Sequence, residues 1–193
     1  MASPPQAVII AGPNGSGKST CAATLLPKEI PFVNADMIAA ELTGKPGTSG
    51  DINAGRLLLE RLSTLENERS DFAFETTLAT KMLANRVRDW QADGYQIHLL
   101  YFWLPSPDLA VQRVAGRVRA GGHNVPETTI RRRFAASLKL LFSTYMPLVD
   151  TWRIYDNSRG LDPKLIAKRS SEGEIIVALQ DIWNTLNSQS KES

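Results

Sequence analysis

A short segment near the start of the chain combines glycines with a lysine and two hydroxyl side chains. Glycines let backbone N–H groups converge on phosphate oxygens, because no Cβ stands in the way. A helix that begins at the same point adds about half a positive charge. The pattern G-x-x-x-x-G-K-[ST] therefore predicts a phosphate-binding loop, with the Lys18 ammonium on the β- and γ-phosphates and the Ser19 hydroxyl on magnesium. Its residues are Gly12, Pro13, Asn14, Gly15, Ser16, Gly17, Lys18 and Ser19, followed by Thr20.

The residues on both sides of this loop support the interpretation. An apolar run at 7–11 predicts a buried strand before it, and a helical pattern over about 17–26 follows. A glycine-rich turn with an incidental lysine is the alternative, but it would not need this context. The chain lacks the LSGGQ-like signature of transporter ATPases and the N-K-x-D motif of GTPases. No predicted strand ends in the aspartate of a Walker B motif, which points to the nucleotide- and metabolite-kinase branch.

Two carboxylates follow other predicted strands. Asp36 comes after a strand at 31–34, and Glu75 ends a strand at 71–75. Ligands of open α/β sheets lie beyond the carboxyl ends of the strands, so both should face the phosphate site. Asp36 could accept the proton of an attacking hydroxyl, or it could simply cap the helix at 37–42. Glu75 is costly to bury and should face a ligand, a metal-bound water or a cation, unless its strand end is exposed.

Six arginines crowd one stretch of the chain with a single acid, Glu127. Fixed guanidinium groups suit a lid that closes over a transferring phosphate, whereas the alternative is a solvated basic helix face. Arg113 and Arg117 share a helix face and can aim at one target, but three consecutive arginines cannot all point the same way. His123, set among glycines and a proline, is predicted in a loop. The arginines are Arg113, Arg117, Arg119, Arg131, Arg132 and Arg133.

Strands that alternate with helical patterns must position these residues. The pattern predicts an α/β fold with a five-stranded parallel sheet and helices on both faces. Further strands are expected at 96–104 and 152–156, a loop at 43–50, and a hairpin with a final helix between 164 and 186. The chain has 193 residues, of which 42% are hydrophobic, so we expect residues 1–193 to form one domain with a real core.

Composition narrows the partners and the compartment. The formal net charge of +2 does not by itself require nucleic acid. The first residues lack a basic segment followed by a long apolar run, so neither a signal peptide nor a membrane span is predicted. Cys21 is the single cysteine, which rules out an internal disulfide and favours a cytoplasmic protein.

An ordered set of motifs over about residues 6–160 resembles the zeta toxin family of small P-loop kinases, including short members labelled predicted ABC-type ATPases. After the P-loop, the set includes Asn34-Ala35-Asp36 and then Arg56 in the following helix. Phe74-Glu75-Thr76-Thr77, the lid segment 113–133 and the strand at 154–158 complete it. The P-loop alone is common to many enzymes, and the ordered set is more specific.

The resemblance implies a kinase that uses ATP and magnesium. Family toxins phosphorylate a sugar hydroxyl of UDP-N-acetylglucosamine, and a partner antitoxin blocks the ATP site. It implies that Asp36 is the catalytic base, that Arg113 is a lid arginine and that Asn157 lies near the adenine. Where the toxins carry a second lid arginine, this chain has His123-Asn124-Val125-Pro126, so Arg119 or one of Arg131 to Arg133 takes over, or the acceptor differs. The candidate substrate-binding residues are Asp36, Arg56, Glu75, Thr76, Arg117, Arg119 and His123.

These observations lead to one functional prediction and two alternatives. The prediction is transfer of the γ-phosphoryl group of ATP to a hydroxyl of a small molecule, a UDP-sugar being the acceptor that the resemblance implies. The first alternative is an ATP-binding switch or ATPase without a small-molecule acceptor. The second is a nucleic-acid-associated ATPase, which only the arginine-rich stretch favours.

Overall fold

The computed structural model of the protein describes residues 3–35, 37–38, 51–160 and 162–192, without the side chains of residues 51–54 and 192. Asp36 and the predicted loop at 43–50 lie outside the described residues. The strands are β1 (Gln6–Ala11), β2 (Phe32–Val33), β3 (Phe72–Thr76), β4 (Gln96–Trp103), β5 (Thr151–Asp156), β6 (Lys164–Arg169) and β7 (Ile175–Val177). The main helices are α1 (Lys18–Leu25), α2 (Asp51–Asn67), α3 (Met82–Ala92), α4 (Pro107–Arg119), α5 (Glu127–Leu140) and α6 (Gln180–Glu192).

The strands form one mixed sheet in the order β2-β3-β1-β4-β5-β6-β7. Strands β1 to β5 are parallel, as predicted, but the expectation of five strands is corrected to seven. The predicted hairpin near the end of the chain supplies β6 and β7, which add to β5 in antiparallel orientation. The apolar pattern of a hairpin is visible in the sequence, but it does not show whether the hairpin adds its strands to the edge of the main sheet.

Alternating residues of β1 are buried against different sides of the sheet, which explains its continuous apolar run. Ala7, Ile9 and Ala11 belong to one core cluster, while Val8 and Ile10 belong to another that includes Cys21 of α1. Successive side chains of a strand point to opposite faces, so both faces of β1 are covered. No helix among the described residues has the length and apolar character needed to cross a bilayer.

Aromatic rings anchor α3 on one side of the sheet. The helix buries Val87 and Trp90, and the Trp90 indole packs edge-on against Phe72 of β3 with ring centroids 5.2 Å apart. Such edge-to-face pairs add about 0.5–1.5 kcal/mol beyond the area they bury. This packing holds the segment between β3 and α3, which carries part of the candidate site.

The order of the strands places the loop after β1 at the centre of the carboxyl edge of the sheet. Strand β1 is hydrogen-bonded to β3 on one side and to β4 on the other, with Ile10 paired to Glu75 and Ala11 to Thr76. Parallel pairing aligns the carboxyl ends of these strands, so the residues that follow them converge there.

Candidate active site

The glycine-rich segment is a compact loop between the end of β1 and the first residue of α1. Gly12, Gly15 and Gly17 have φ values of 141°, 77° and 81°, which other residues rarely adopt. Space is also lacking, because a Cβ on these glycines would lie closer than 3.0 Å to Phe102 O, Ala110 O and Asn157 Nδ2 respectively. Groups from three other segments therefore lie against the loop, and only glycine fits at each of these contacts.

Lys18, the first residue of α1, carries its charge into a nearly closed environment. Its side chain is 5% exposed, its Nζ donates a hydrogen bond to Pro13 O at 2.9 Å, and the same atom lies 3.5 Å from Glu75 Oε1. A buried ammonium needs a paired anion and hydrogen bonds to offset its lost hydration. The loop and β3 together supply both.

Glu75 is held by two donors besides the lysine. Its Oε2 accepts a hydrogen bond from Ser19 Oγ at 2.6 Å and another from Asn34 Nδ2 at 2.6 Å. The Asn34 amide also lies 3.3 Å from Ser19 Oγ, so it ties the end of β2 to the same network. The sequence analysis expected Glu75 to face a ligand, a metal-bound water or a cation, and in the structure the carboxylate faces the Lys18 ammonium. Sequence reasoning did not assign Asn34 to the site, although a buried polar residue directly after a strand was a usable signal.

A cavity of about 450 Å³ opens between the P-loop, the ends of β2 and β3, and helices α4 and α5. Asn34, Ala35, Glu75, Thr76 and Thr77 line the cavity from the ends of β2 and β3. The Thr76 hydroxyl accepts a hydrogen bond from Leu78 N–H at 3.1 Å, which fixes the turn after β3. The other lining residues are Asn14, Gly15, Gly17, Lys18, Ser19, Thr20, Arg113, Arg117 and Arg133.

Three of the six arginines line this cavity. Arg113 and Arg117 lie on α4, as their spacing predicted, and Arg133 reaches the cavity from α5. Arg113 Nη2 donates to Ser158 O at 2.8 Å, and Arg117 Nη2 donates to His123 O at 2.8 Å. These carbonyls hold the two guanidinium groups in place, which a solvated helix face would not do.

The consecutive arginines of α5 diverge, as predicted. Arg131 turns outward and pairs with Asp108 at 2.7 Å and Glu127 at 2.8 Å. Arg132 is exposed, and Arg133 alone of the three lines the cavity. Of Arg119 and Arg131 to Arg133, Arg133 is therefore the one that lines the cavity.

Some predicted site residues do not line the cavity. Arg56 is 69% exposed and pairs with Glu60 at 3.4 Å on its own helix. Arg119 is exposed at the end of α4, and His123 contributes its backbone carbonyl to Arg117. Asn157 is buried beneath the P-loop. The predicted roles of these four residues in binding stay predictions, as does that of Asp36.

Five parallel strands, whose central strand β1 runs through a glycine loop and a lysine into a helix, define a P-loop domain. Residues 8–140 match the family described as an AAA domain, and the chain belongs to that family. It is also similar to an uncharacterized protein of Haemophilus influenzae, with 26% identity over 129 residues. That alignment covers 67% of this chain and 92% of the Haemophilus protein.

Solved structures share the fold at low sequence identity. A chain of the AvrRxo1-ORF1:AvrRxo1-ORF2 complex with sulphate ions aligns with a TM-score of 0.76 and 14% identity over 96% of this chain. This chain spans only 64% of the length of that protein. The same complex solved with ATP gives a TM-score of 0.75 and 13% identity. A chain of the PezAT chromosomal toxin–antitoxin system of Streptococcus pneumoniae aligns with a TM-score of 0.61 and 16% identity, covering 99% of this chain and 88% of that one.

Proposed function

We propose that the protein is an ATP-dependent phosphotransferase that moves the γ-phosphoryl group to a hydroxyl of a small molecule. The observation that carries this proposal is the shape of the cavity, which extends past the P-loop to Asn34 and to Glu75, Thr76 and Thr77. Nucleotide binding alone needs only the loop. Thr76 and Thr77 line the same cavity as three guanidinium groups, and their hydroxyl side chains supply hydrogen-bonding groups for an acceptor.

The residues present fit the triphosphate of a nucleotide and its magnesium. The three glycines leave backbone N–H groups uncovered by side chains, and α1 begins at the same point. Lys18 would hold the β- and γ-phosphates. The Ser19 hydroxyl and the Glu75 carboxylate, 2.6 Å apart, offer the oxygen donors that magnesium prefers. Magnesium held there would supply positive charge that neutralises the phosphates.

The arginines of the lid supply positive charge to the phosphoryl group that moves. Phosphoryl transfer spreads negative charge over the equatorial oxygens, so catalysis depends on charges fixed in advance. Arg113 and Arg117 are anchored by backbone carbonyls, so little ordering remains to be done at the moment of transfer. Arg133 adds a third guanidinium group from a different helix.

Asp36 remains the proposed general base, which accepts the proton of the attacking hydroxyl. Asparagine has the same size and also caps helices, so Asp36→Asn should fold and melt like the parent protein. It cannot take the proton, and loss of a general base costs about a hundred- to ten-thousand-fold in rate. We therefore expect phosphoryl transfer to slow by at least about a hundred-fold, measured by rapid quench while ATP affinity is followed by calorimetry. Transfer at the parental rate would reduce Asp36 to a helix cap and make Glu75 the next candidate.

Two finer proposals concern the acceptor and a partner. The resemblance to the zeta toxins supports a UDP-sugar as the acceptor and an antitoxin as the partner. The shared fold with chains from the AvrRxo1-ORF1:AvrRxo1-ORF2 complex and from a toxin–antitoxin system is consistent with a protein that is held inactive by a second chain. The structure with ATP in the first complex supports ATP as the nucleotide.

A screen of acceptors tests the proposed function. A kinase should turn over ATP faster when its acceptor is present, because the acceptor completes the site and excludes water. We expect one member of a panel of UDP-sugars, nucleosides and polyols to raise ADP production well above the basal rate and to gain the mass of one phosphate. The Lys18→Met variant serves as the blank. ADP production that stays basal across the whole panel would contradict the proposal and favour an ATP-binding switch.

A further inference from the structure

Asn157 occupies a fixed position directly beneath the P-loop. It follows β5 and is 2% exposed. Its backbone N–H donates to Trp103 O of β4 at 3.1 Å, and its carbonyl accepts from Gly160 N–H at 3.2 Å. The residue is therefore tied to the ends of two neighbouring strands, and its side chain has little freedom to move.

The side-chain amide of Asn157 is hydrogen-bonded to the backbone of the P-loop. Its Nδ2 donates to Ser16 O at 2.7 Å and would lie 2.5 Å from a Cβ on Gly17. Its Oδ1 is buried, with no hydrogen-bond partner among the described residues. The fold thus uses this side chain as a donor, and the Ser16 carbonyl determines which way the amide is turned, since an oxygen in that position would repel it.

We propose that Asn157 is a positioning residue for phosphate binding, which turns the N–H of Gly17 toward the cavity by holding the Ser16 carbonyl on the opposite side. The peptide bond between Ser16 and Gly17 is planar and trans, so its C=O and N–H point in opposite directions. Gly17 lines the cavity, whereas Asn157 does not. This inference rests on the proposed function in so far as the ligand of the P-loop is a nucleotide.

The position of Asn157 also predicts which part of a nucleotide depends on it for binding, the adenine or the phosphates. The resemblance to zeta toxins places the residue near the adenine. A buried amide that is hydrogen-bonded to the P-loop acts instead on the phosphates, through the backbone that binds them. Removal of the Asn157 amide should therefore weaken the binding of ATP and of inorganic tripolyphosphate equally. The two ligands share the phosphates, and tripolyphosphate has no base.

The test uses calorimetric titration of the whole protein with ATP and with tripolyphosphate, both in magnesium. Asn157→Ala removes the donor, and Asn157→Asp replaces it with an acceptor that faces the Ser16 carbonyl. We expect each variant to bind both ligands about ten- to a hundred-fold more weakly. This is the range for loss of one hydrogen bond to a charged group, here the bond from Gly17 N–H to a phosphate. Equal losses for the two ligands support the inference. Loss confined to ATP would assign Asn157 to the base, and unchanged affinities would overturn the inference.

Cys21→Ala is the matched control. Cys21 Sγ is the other contact of the same amide, at 3.7 Å, and burial raises the pKa of the thiol, so its removal changes no charge at neutral pH. We expect this variant to bind tripolyphosphate within about two-fold of the parent, because the bond to Ser16 remains. A loss as large as that of Asn157→Ala would mean that packing under α1, and not the amide, matters.

A direct readout separates positioning from folding. In the parent protein, the amide proton of Gly17 should shift downfield in nuclear magnetic resonance spectra as tripolyphosphate is added. In Asn157→Ser, a small variant for use if the others do not fold, the shift should be clearly smaller at saturation. An unchanged shift would overturn the inference.

If the parent binds tripolyphosphate but phosphorylates no acceptor, the inference stands and the proposed function fails. A parent that binds no tripolyphosphate would contradict both.

Discussion

Replacing Lys18 with methionine should lower kcat/KM for ATP turnover by about a thousand-fold or more, the scale of a lost charge at a transferring phosphoryl group. The Lys18 ammonium lies between Pro13 O and Glu75, 5% exposed, so water cannot replace it. Methionine has a similar length and fills the same channel, which keeps the loop packed. The lost charge acts on the phosphates both when ATP binds and when transfer occurs, so affinity should also fall.

The matched control is Lys28→Met, which removes an exposed lysine outside the cavity. Steady-state ADP production and calorimetric ATP binding are measured for both variants, with melting curves to exclude unfolding. Glu75 keeps its hydrogen bonds from Ser19 and Asn34 in the Lys18 variant, so we expect a folded protein. If the Lys18→Met protein turns over ATP as fast as Lys28→Met, the assignment of the P-loop to the catalytic site is wrong.

Arg113→Ala should lower kcat by about a thousand-fold while weakening ATP binding only a few-fold, as expected for a group that stabilises transition-state charge. The guanidinium group lines the cavity and is held by Ser158 O at 2.8 Å. Alanine keeps the Cβ of residue 113, which would lie 3.2 Å from a Cβ on Gly15 and so limits the space there to glycine. The P-loop should therefore keep its shape, and the effect should report the lost charge.

Two further variants sharpen this test. Arg113→Lys keeps the charge but loses the forked hydrogen-bonding group, so it should recover only part of the rate. Arg88→Ala removes an exposed arginine of α3 outside the cavity and should leave kcat unchanged. Pre-steady-state measurement of transfer in each variant gives the comparison. Weak ATP binding with parental kcat would mean that Arg113 stabilises bound ATP and not the transition state. No change in either quantity would mean that Arg113 has no role in binding or catalysis.

The P-loop could be predicted because its motif and the two elements that flank it are local. Positive φ values at Gly15 and Gly17, the preceding apolar strand and the helix that starts at Lys18 all depend on neighbours within a few residues. The alternation of strands and helices likewise predicted the α/β class and the hairpin near the end of the chain. The number of strands was wrong because the hairpin was not counted with the sheet, whereas β6 adds to the edge of β5 in antiparallel orientation.

The role of Glu75 shows where such prediction stops. Its position at a strand end was visible in the sequence, and the cost of burying it implied a ligand, a metal-bound water or a cation. That the cation is Lys18, and that Ser19 and Asn34 donate to the same carboxylate, follows from the pairing of β3 beside β1. A parallel neighbour is chosen by burial over the whole sheet, which no local pattern encodes.

The arginines of the segment 113–133 show the same limit of prediction from sequence. Spacing alone placed Arg113 and Arg117 on one face of α4, and the structure directs both to the cavity. It could not choose between Arg119 and the three arginines of α5, because that choice depends on how α4 and α5 pack. In the structure, Asp108 and Glu127 hold Arg131 on the outside, and Arg133 lines the cavity.

The sequence by itself determined the phosphate loop, the class of fold and the residue types available for phosphoryl transfer, since these depend on backbone conformation and periodicity over short segments. Only the tertiary structure decided which of those residues meet. Asn157 donates to Ser16 across 141 positions of chain, and Ser19 donates to Glu75 across 56. Contacts of that length exist because buried strands pair and helices cover them, so the free energy that selects them belongs to the whole core.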